Sequence, residues 1–210
     1  MMHKRREILL AVGAAGVSSL LPLAALADGA AGSVVGLRGA CLVQRGGNSA
    51  ALKMGDSVAA TDTIEVPADG KLKLRMADGS VISLASGTRL VLATYQTDAK
   101  GARQTAQLSL NEGLLRAVVS PVDHPSTFEV STAVGTAAVR STDWFIEAKP
   151  GSAQVGVLVG SVSLTSATTG RAVMIPSRWG ARLEAGRDPV PARVWSPEEF
   201  QAVISRTDVP

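Results

Sequence analysis

The sequence predicts an all-β domain: a β-solenoid of stacked short antiparallel strands, followed by a short C-terminal helix. Three observations carry this expectation. Short apolar runs alternate with glycine-containing turns along most of the chain, at a strand-to-strand spacing of about 8–12 residues, which is the pattern of an all-β fold. No central segment shows the i, i+3, i+4 apolar stripe of a helix. Two stretches, DGKLKLRMADGSVISLASGTRLVL and GSAQVGVLVGSVSLTSATTGRAVMI, repeat the order glycine, short strand, glycine, short strand. Loose repeats of this kind suit a solenoid, in which each rung buries its apolar face against the next. A closed barrel or a two-sheet sandwich uses the same local pattern, so both remain open at this level.

The first 27 residues are set apart as a cleavable signal peptide. Lys4, Arg5 and Arg6 form a positive n-region. The apolar stretch from Ile8 to Leu21 is shorter than the roughly 20 residues of a membrane span, and Pro22 ends it. Ala25-Leu26-Ala27 is an A-x-A cleavage site that predicts Asp28 as the mature N-terminus. Arg5-Arg6 before Glu7-Ile8-Leu9 resembles a twin-arginine signal, while also fitting the general secretory route. Either the Sec or the Tat route delivers the protein to the periplasm, with no membrane span after cleavage. Residues 28–190 are expected to form the all-β domain, and residues 191–210 a C-terminal extension with the helix.

Within the domain, Lys71-Leu72-Lys73-Leu74-Arg75-Met76 alternates strictly, with three apolar side chains on one face and three cations on the other. Asp78-Gly79 follows as a hairpin turn suited to positive φ, then Val81-Ile82-Ser83-Leu84 returns. Ser86-Gly87 turns again before Leu90-Val91-Leu92. Further strands are expected at 40–44, 57–66, 106–110, 114–119, 128–131, 144–148, 153–159, 162–165, 172–175 and 181–184. At the C-terminus Ser196 can cap a helix, Pro197 suits its first position, and Glu199 stands three residues after the cap. A helix over about 197–205 follows, with Phe200 and Val203 or Ile204 packing down.

Composition excludes several functions. Residues 1–27 hold three basic residues and one acid, so the remaining 183 residues carry 18 basic and 17 acidic side chains, a net charge of +1. A near-neutral chain has no electrostatic footprint for nucleic acid or an anionic membrane. Aromatic residues at 3% give few platforms for stacked bases. The single cysteine, Cys41, permits no intramolecular disulfide and reads as a buried strand residue. One Cys and one His (His124) outside the signal cannot complete a four-ligand zinc site, so no metal and no cofactor are expected.

In the stretch STAVGTAAVRSTDWFIEA, Ser131 to Ala148, a small-residue run meets the polar cluster Arg140-Ser141-Thr142-Asp143, and an aromatic strand follows. A catalytic reading would make Ser141 or Thr142 a nucleophile beside Asp143. A hydroxyl needs a neighbouring base, and nothing in the sequence brings His124 to Ser141. There is no G-x-S-x-G elbow and no H-E-x-x-H pair. Arg140, Ser141, Thr142 and Asp143 are therefore read as a structural turn, with Arg140 pairing with Asp143 or with turn carbonyls and the hydroxyls bonding local backbone. Asp143→Ala should then cost stability rather than activity. Trp179 and Trp195 are candidate ligand contacts, with core or sheet-edge packing as the alternative.

Gly55-Asp56, Asp78-Gly79-Ser80, Val139-Arg140-Ser141-Thr142-Asp143 and Val159-Gly160-Ser161-Val162, spread over about Gly36 to Gly186, resemble the FecR family of bacterial periplasmic domains. That family usually has Val-Arg-Gly-Thr where this chain has Val-Arg-Ser-Thr, so Ser141 must take a glycine turn, at the cost of mild strain. The resemblance implies a β-rich, solenoid-like domain without enzymatic activity. The best-understood members are inner-membrane regulators that sense an occupied outer-membrane iron–siderophore receptor and control a sigma factor. That role needs a cytoplasmic N-terminal segment, a membrane span and a second, receptor-contacting subdomain. Against those requirements the expectation for this chain is a non-enzymatic periplasmic accessory module that interacts with an envelope protein or a cell-wall component. Direct sigma-factor regulation is not expected. The alternative is a cell-wall or carbohydrate-binding envelope protein that uses Trp179 or Trp195.

Overall fold

The computed structural model describes residues 29–209; the signal peptide read at 1–27 lies outside them. In chain order the strands are β1 Gly32–Arg38, β2 Leu42–Arg45, β3 Asn48–Ala51, β4 Ser57–Val58, β5 Thr63–Val66, β6 Lys71–Met76, β7 Val81–Leu84, β8 Thr88–Thr97 and β9 Arg103–Val118. They continue as β10 Thr127–Ser131, β11 Gly135–Val139, β12 Asp143–Lys149, β13 Ser152–Val159, β14 Ser161–Ser166, β15 Ala172–Pro176, β16 Trp179–Glu184 and β17 Arg193–Val194, before helix α1 Pro197–Thr207.

Two ladders account for the pairing. Sheet A runs β4-β1-β6-β7-β9-β12-β13-β16-β17. Sheet B runs β3-β2-β5-β8-β9-β10-β11-β14-β15. Neither ladder returns to its first strand, so the expected all-β class holds and the sheet is not a closed barrel. Downstream of β9 the chain adds hairpins alternately: β10–β11 to sheet B, β12–β13 to sheet A, β14–β15 to sheet B, β16–β17 to sheet A.

The sheets are joined through β9, and here the expectation of two strands at 106–110 and 114–119 is corrected. One strand crosses between them. Its first half pairs with β8 and, in parallel, with β10; its second half pairs with β7 and β12. The Asn111-Glu112-Gly113 break is a kink rather than a turn. Gly113 has φ +95°, and a Cβ there would overlap Thr88, so glycine lets the strand bend from one sheet to the other without leaving the ladder. The strand expected at 57–66 is likewise two, β4 and β5. Asp62 at the turn between them accepts from Ala59 N–H at 2.8 Å and from the Arg45 guanidinium.

Alternation does what it implies. In β6, Leu72, Leu74 and Met76 are buried while Lys71, Lys73 and Arg75 face out. One continuous core takes Leu74, Leu84, Trp144, Val155 and Leu183 from sheet A, and Leu90, Leu108, Phe128 and Leu164 from sheet B. Cys41 is fully buried at its edge, and burial, aided by the charge of Asp69, pushes its thiol up to about 11.

Inside this core sits a polar knot. Asp78, expected only as a turn acid, has a buried carboxylate that accepts from Arg103, from Tyr95 Oη at 2.6 Å and from Ser80 Oγ at 2.8 Å. Arg103 is 1% exposed and also donates to Ser120 O at 3.2 Å. Burial, and then the hydrogen bond to Asp78, raises the Tyr95 pKa well above the ordinary tyrosine value. A buried pair of this kind tolerates loss of one partner poorly, because the other charge is left without compensation.

Helix α1 forms where expected and runs two residues further, to Thr207. Ser196 Oγ accepts from Glu199 N–H while the Glu199 carboxylate accepts from Ser196 N–H, a complete capping box with Pro197 at the first turn. Phe200 and Val203 are buried against the outer face of sheet A, together with Ala85, Leu114, Phe145 and Trp195. Phe145, Trp195 and Phe200 lie with ring centroids 5.3, 5.5 and 6.3 Å apart. Gly156 and Gly180 are cross-strand partners, and a Cβ on them would overlap Phe145 and Trp195 respectively. The paired glycines are the notch in which the aromatic rings sit. At the other end of the helix, Lys71 Nζ donates to Ser205 O and Asp208 O at 2.9 Å, and Lys73 Nζ to Val209 O at 3.0 Å. Two of the three outward cations of β6 thus bind carbonyls in the last turn of the helix and just beyond it, where the helix dipole favours positive charge.

Candidate functional site: a cleft on the bare sheet

The outer face of sheet B carries no helix among the described residues. Register places Glu129, Ala138, Ser163 and Met174 side by side on β10, β11, β14 and β15. The two small side chains in the middle leave a depression between Glu129 and Met174, which is 61% exposed. It opens into a cleft of about 530 Å3 whose upper rim is Ser126–Phe128, Arg140–Thr142 and Gly160–Ser161. The Arg-Ser-Thr cluster singled out in the sequence is therefore on the wall of this cleft.

The turn itself is built by close backbone approach. Gly160, at φ +90°, lies so near the 141–142 segment that a Cβ would stand 2.9 Å from both Ser141 O and Thr142 Oγ1. Thr142 is buried; its hydroxyl donates to Ser161 O at 3.3 Å and its carbonyl accepts from Val119 N–H at 2.9 Å. Arg140 and Ser141 are exposed. Ser141 does not occupy the left-handed region, since among the described non-glycine residues only Thr61 and Arg178 have positive φ. The strain expected from replacing the family's glycine is absent.

The expected Arg140–Asp143 pair does not form. Asp143 is the first residue of β12 and points to the outer face of sheet A, away from the cleft. There it accepts from Arg116 Nε at 3.0 Å and Nη2 at 2.9 Å. Register sets this up: Asp143 stands opposite Val118 and Phe145 opposite Arg116, so the pair is a diagonal across neighbouring strands. The hydrogen bond to Asp143 raises the Arg116 pKa.

Beside the cleft lies a smaller pocket of about 70 Å3, lined by Arg103, Val122, His124, Ser126, Arg140 and Ser141. The structure thus brings His124 and Ser141 to one pocket, although nothing in their linear order places them together. No hydrogen bond joins them. His124 Nδ1 pairs with Pro125 O at 3.1 Å, and Nε2 has no partner among the described residues. The carboxylate that a triad would require, Asp143, is held by Arg116 on the other sheet. Arg103 was missed altogether, because its partner Asp78 lies 25 residues away in sequence with no spacing rule to connect them.

The two tryptophans part company. Trp195 is only 7% exposed and its ring is used against Phe145, Phe200 and Arg193, so it is a packing residue. Trp179, at the start of β16, is 37% exposed. Among the described residues no group of three or more His, Cys, Asp or Glu is placed to hold a metal, and no helix is long and apolar enough to cross a membrane.

Residues 62–163 match the family model described as FecR protein. Two crystal structures of "a putative anti-sigma factor" from Parabacteroides distasonis share the fold, each with a TM-score of 0.55 and 15% identity over 67% of this chain. The aligned part spans 63% and 62% of those chains. No curated protein is similar to this sequence.

Proposed function

We propose, from the premise that residues 62–163 of this chain are a FecR domain, that the protein is a non-enzymatic interaction or sensory accessory module of the periplasm and not itself a sigma-factor regulator. The observation that carries this reading is the contrast between a signalling-type fold and a cleft without a catalytic set. Ser141 and His124 share a pocket but not a hydrogen bond, and Asp143 is committed to Arg116. Covalent catalysis needs a nucleophile, a base and an orienting group in contact. A bare sheet face that ends in the short edge strand β15 offers instead a surface for a protein partner, by side-chain contact in the cleft or by strand addition at the edge. The alternate addition of hairpins to two sheets supports reading the fold as a solenoid-like progression along one axis.

The partner is expected to be an envelope protein. Crosslinking in the intact envelope, capture through a C-terminal tag and mass spectrometry test this. Reproducible capture of a receptor or an inner-membrane sensor supports the reading. Capture of glycan-linked material alone would move wall binding, through exposed Trp179, to the front. Hydrolytic turnover abolished by both Ser141→Ala and His124→Ala in folded protein would overturn the non-enzymatic assignment.

A further inference from the structure

We propose that the small pocket behind Ser141 is a binding site for a single small oxyanion, a carboxylate or a sulfate-like group, held by Arg103, His124 and Arg140. Three buried side-chain nitrogens lack a hydrogen-bond partner among the described residues: Arg103 Nε, His124 Nε2 and Trp144 Nε1. Two of the three belong to side chains lining this one pocket of about 70 Å3. Buried polar atoms in folded proteins are ordinarily paired, so two orphans at one small cavity mark a place where a ligand completes the bonding.

The chemistry of the lining points to an anion. Arg103 is almost fully buried and its Nη atoms are already committed, to Asp78 and Ser80 on one side and to Ser120 O on the other. Its Nε–H has no partner, and Nη2 keeps one N–H beyond its bond to Ser120 O. His124 Nδ1 donates to Pro125 O, which leaves Nε2 as the free ring atom, a donor when the ring is protonated. Arg140 has no carboxylate partner among the described residues and supplies the charge that Arg103 spends on Asp78. Ser126 and Ser141 add hydroxyls that can donate to further oxygens. Guanidinium groups and imidazolium are the donors that oxyanions recognise best. The volume admits a group of a few heavy atoms and excludes a sugar or a nucleotide. Because Arg140, Ser141 and Ser126 also line the larger cleft, an oxyanion here can be free or can be the anionic tip of a ligand lying in the cleft.

The site is independent of whether the bare face of sheet B docks a protein. It is tested on the purified full chain by titration calorimetry at about pH 5.5, below the ordinary histidine pKa, with sulfate and with acetate, using chloride as the reference. The expected result is saturable one-site binding of at least one of them, stronger than chloride and weakened about tenfold or more by Arg140→Ala and by His124→Ala. The stronger of the two identifies a tetrahedral or a planar oxyanion. Arg140 is exposed and bonded to nothing within the described protein, so its variant keeps the fold, and an unchanged melting temperature verifies that. Neither anion exceeding chloride, or binding that survives either variant unchanged, overturns the proposal.

Discussion

The two outer faces of this molecule are built from the same kind of strand and end up in opposite states. On sheet A, Leu114 and Phe145 point outward beside Leu115, Trp144 and Ile146, which point inward, so β9 and β12 are apolar on both sides. On sheet B, outward Gln107, Glu129 and Ser163 separate inward Ala106, Leu108, Phe128, Val130, Val162 and Leu164. A strand that is apolar on both faces must be covered on both. Sheet A is covered by α1, packed through Phe200 on the Phe145 and Trp195 rings that fill the Gly156–Gly180 notch and held by Lys71, Lys73, the Arg206–Glu147 pair and the capping box. Sheet B, with clean alternation, needs no cover and leaves its cleft open. The loss of alternation, more than any single motif, is what separates the sealed face from the available one.

The sharpest way to break this comparison is to empty the seal. Phe145→Ala removes the ring that Trp195 and Phe200 pack on and should cost about 3–5 kcal/mol, read as a lower midpoint in chemical unfolding; a loss below about 1 kcal/mol would mean that the helix is held by its charges alone. Next is Asp143→Ala, which strips Arg116 of its bidentate partner on the same face. It should destabilise by about 1–3 kcal/mol, and an unchanged melting temperature would remove Asp143 from the list of structural residues. Ser196→Ala deletes one half of the capping box and should cost about 1 kcal/mol, seen as fraying of α1 in hydrogen exchange.

Acid should loosen the seal in the same place. The Arg193 guanidinium, and then the Ser196 N–H, hold the Glu199 carboxyl below the ordinary glutamate value. A depressed carboxylate stabilises above its unfolded pKa and loses that contribution as pH falls through its folded value. Helical signal from α1 should therefore be constant between about pH 6 and 8 and fall in the acid range; a loss nearer neutrality would point to another group. The smallest effect belongs to sheet B. Ser163→Ala, on the floor of the cleft, should change stability by no more than about 0.5 kcal/mol. A larger cost measured by denaturation would show that this face is not free.

Much of this was legible in the chain. The strands at 71–76 and 81–84 fall at the residues expected, because strict period-two alternation and the Asp78-Gly79 turn leave one register that buries the leucines. The C-terminal helix was legible because cap, Pro197 and Glu199 are adjacent in sequence and act locally. The site was half legible. The 140–143 cluster was singled out, but its partners were not. Arg116 reaches Asp143 across a strand pairing, and Arg103 on β9 reaches Asp78 in the β6–β7 turn with no pairing between them; no local pattern encodes either contact. Trp195 could not be told from a surface platform, since its burial depends on glycines at 156 and 180 meeting beneath it.

By itself, then, the sequence determined the all-β class, the period of its strands, the capped helix at its end and the resemblance to FecR. These are short-range matters, decided by side-chain alternation, turn chemistry and capping within a few residues. Tertiary structure alone decided that β9 crosses between sheets, that the helix covers sheet A and leaves sheet B bare, and that Arg103, His124, Arg140 and Ser141 line one pocket. Those arrangements depend on which strands pair and which faces meet, and pairing energies come from contacts between residues tens of positions apart, where the linear order of the chain carries no distance information.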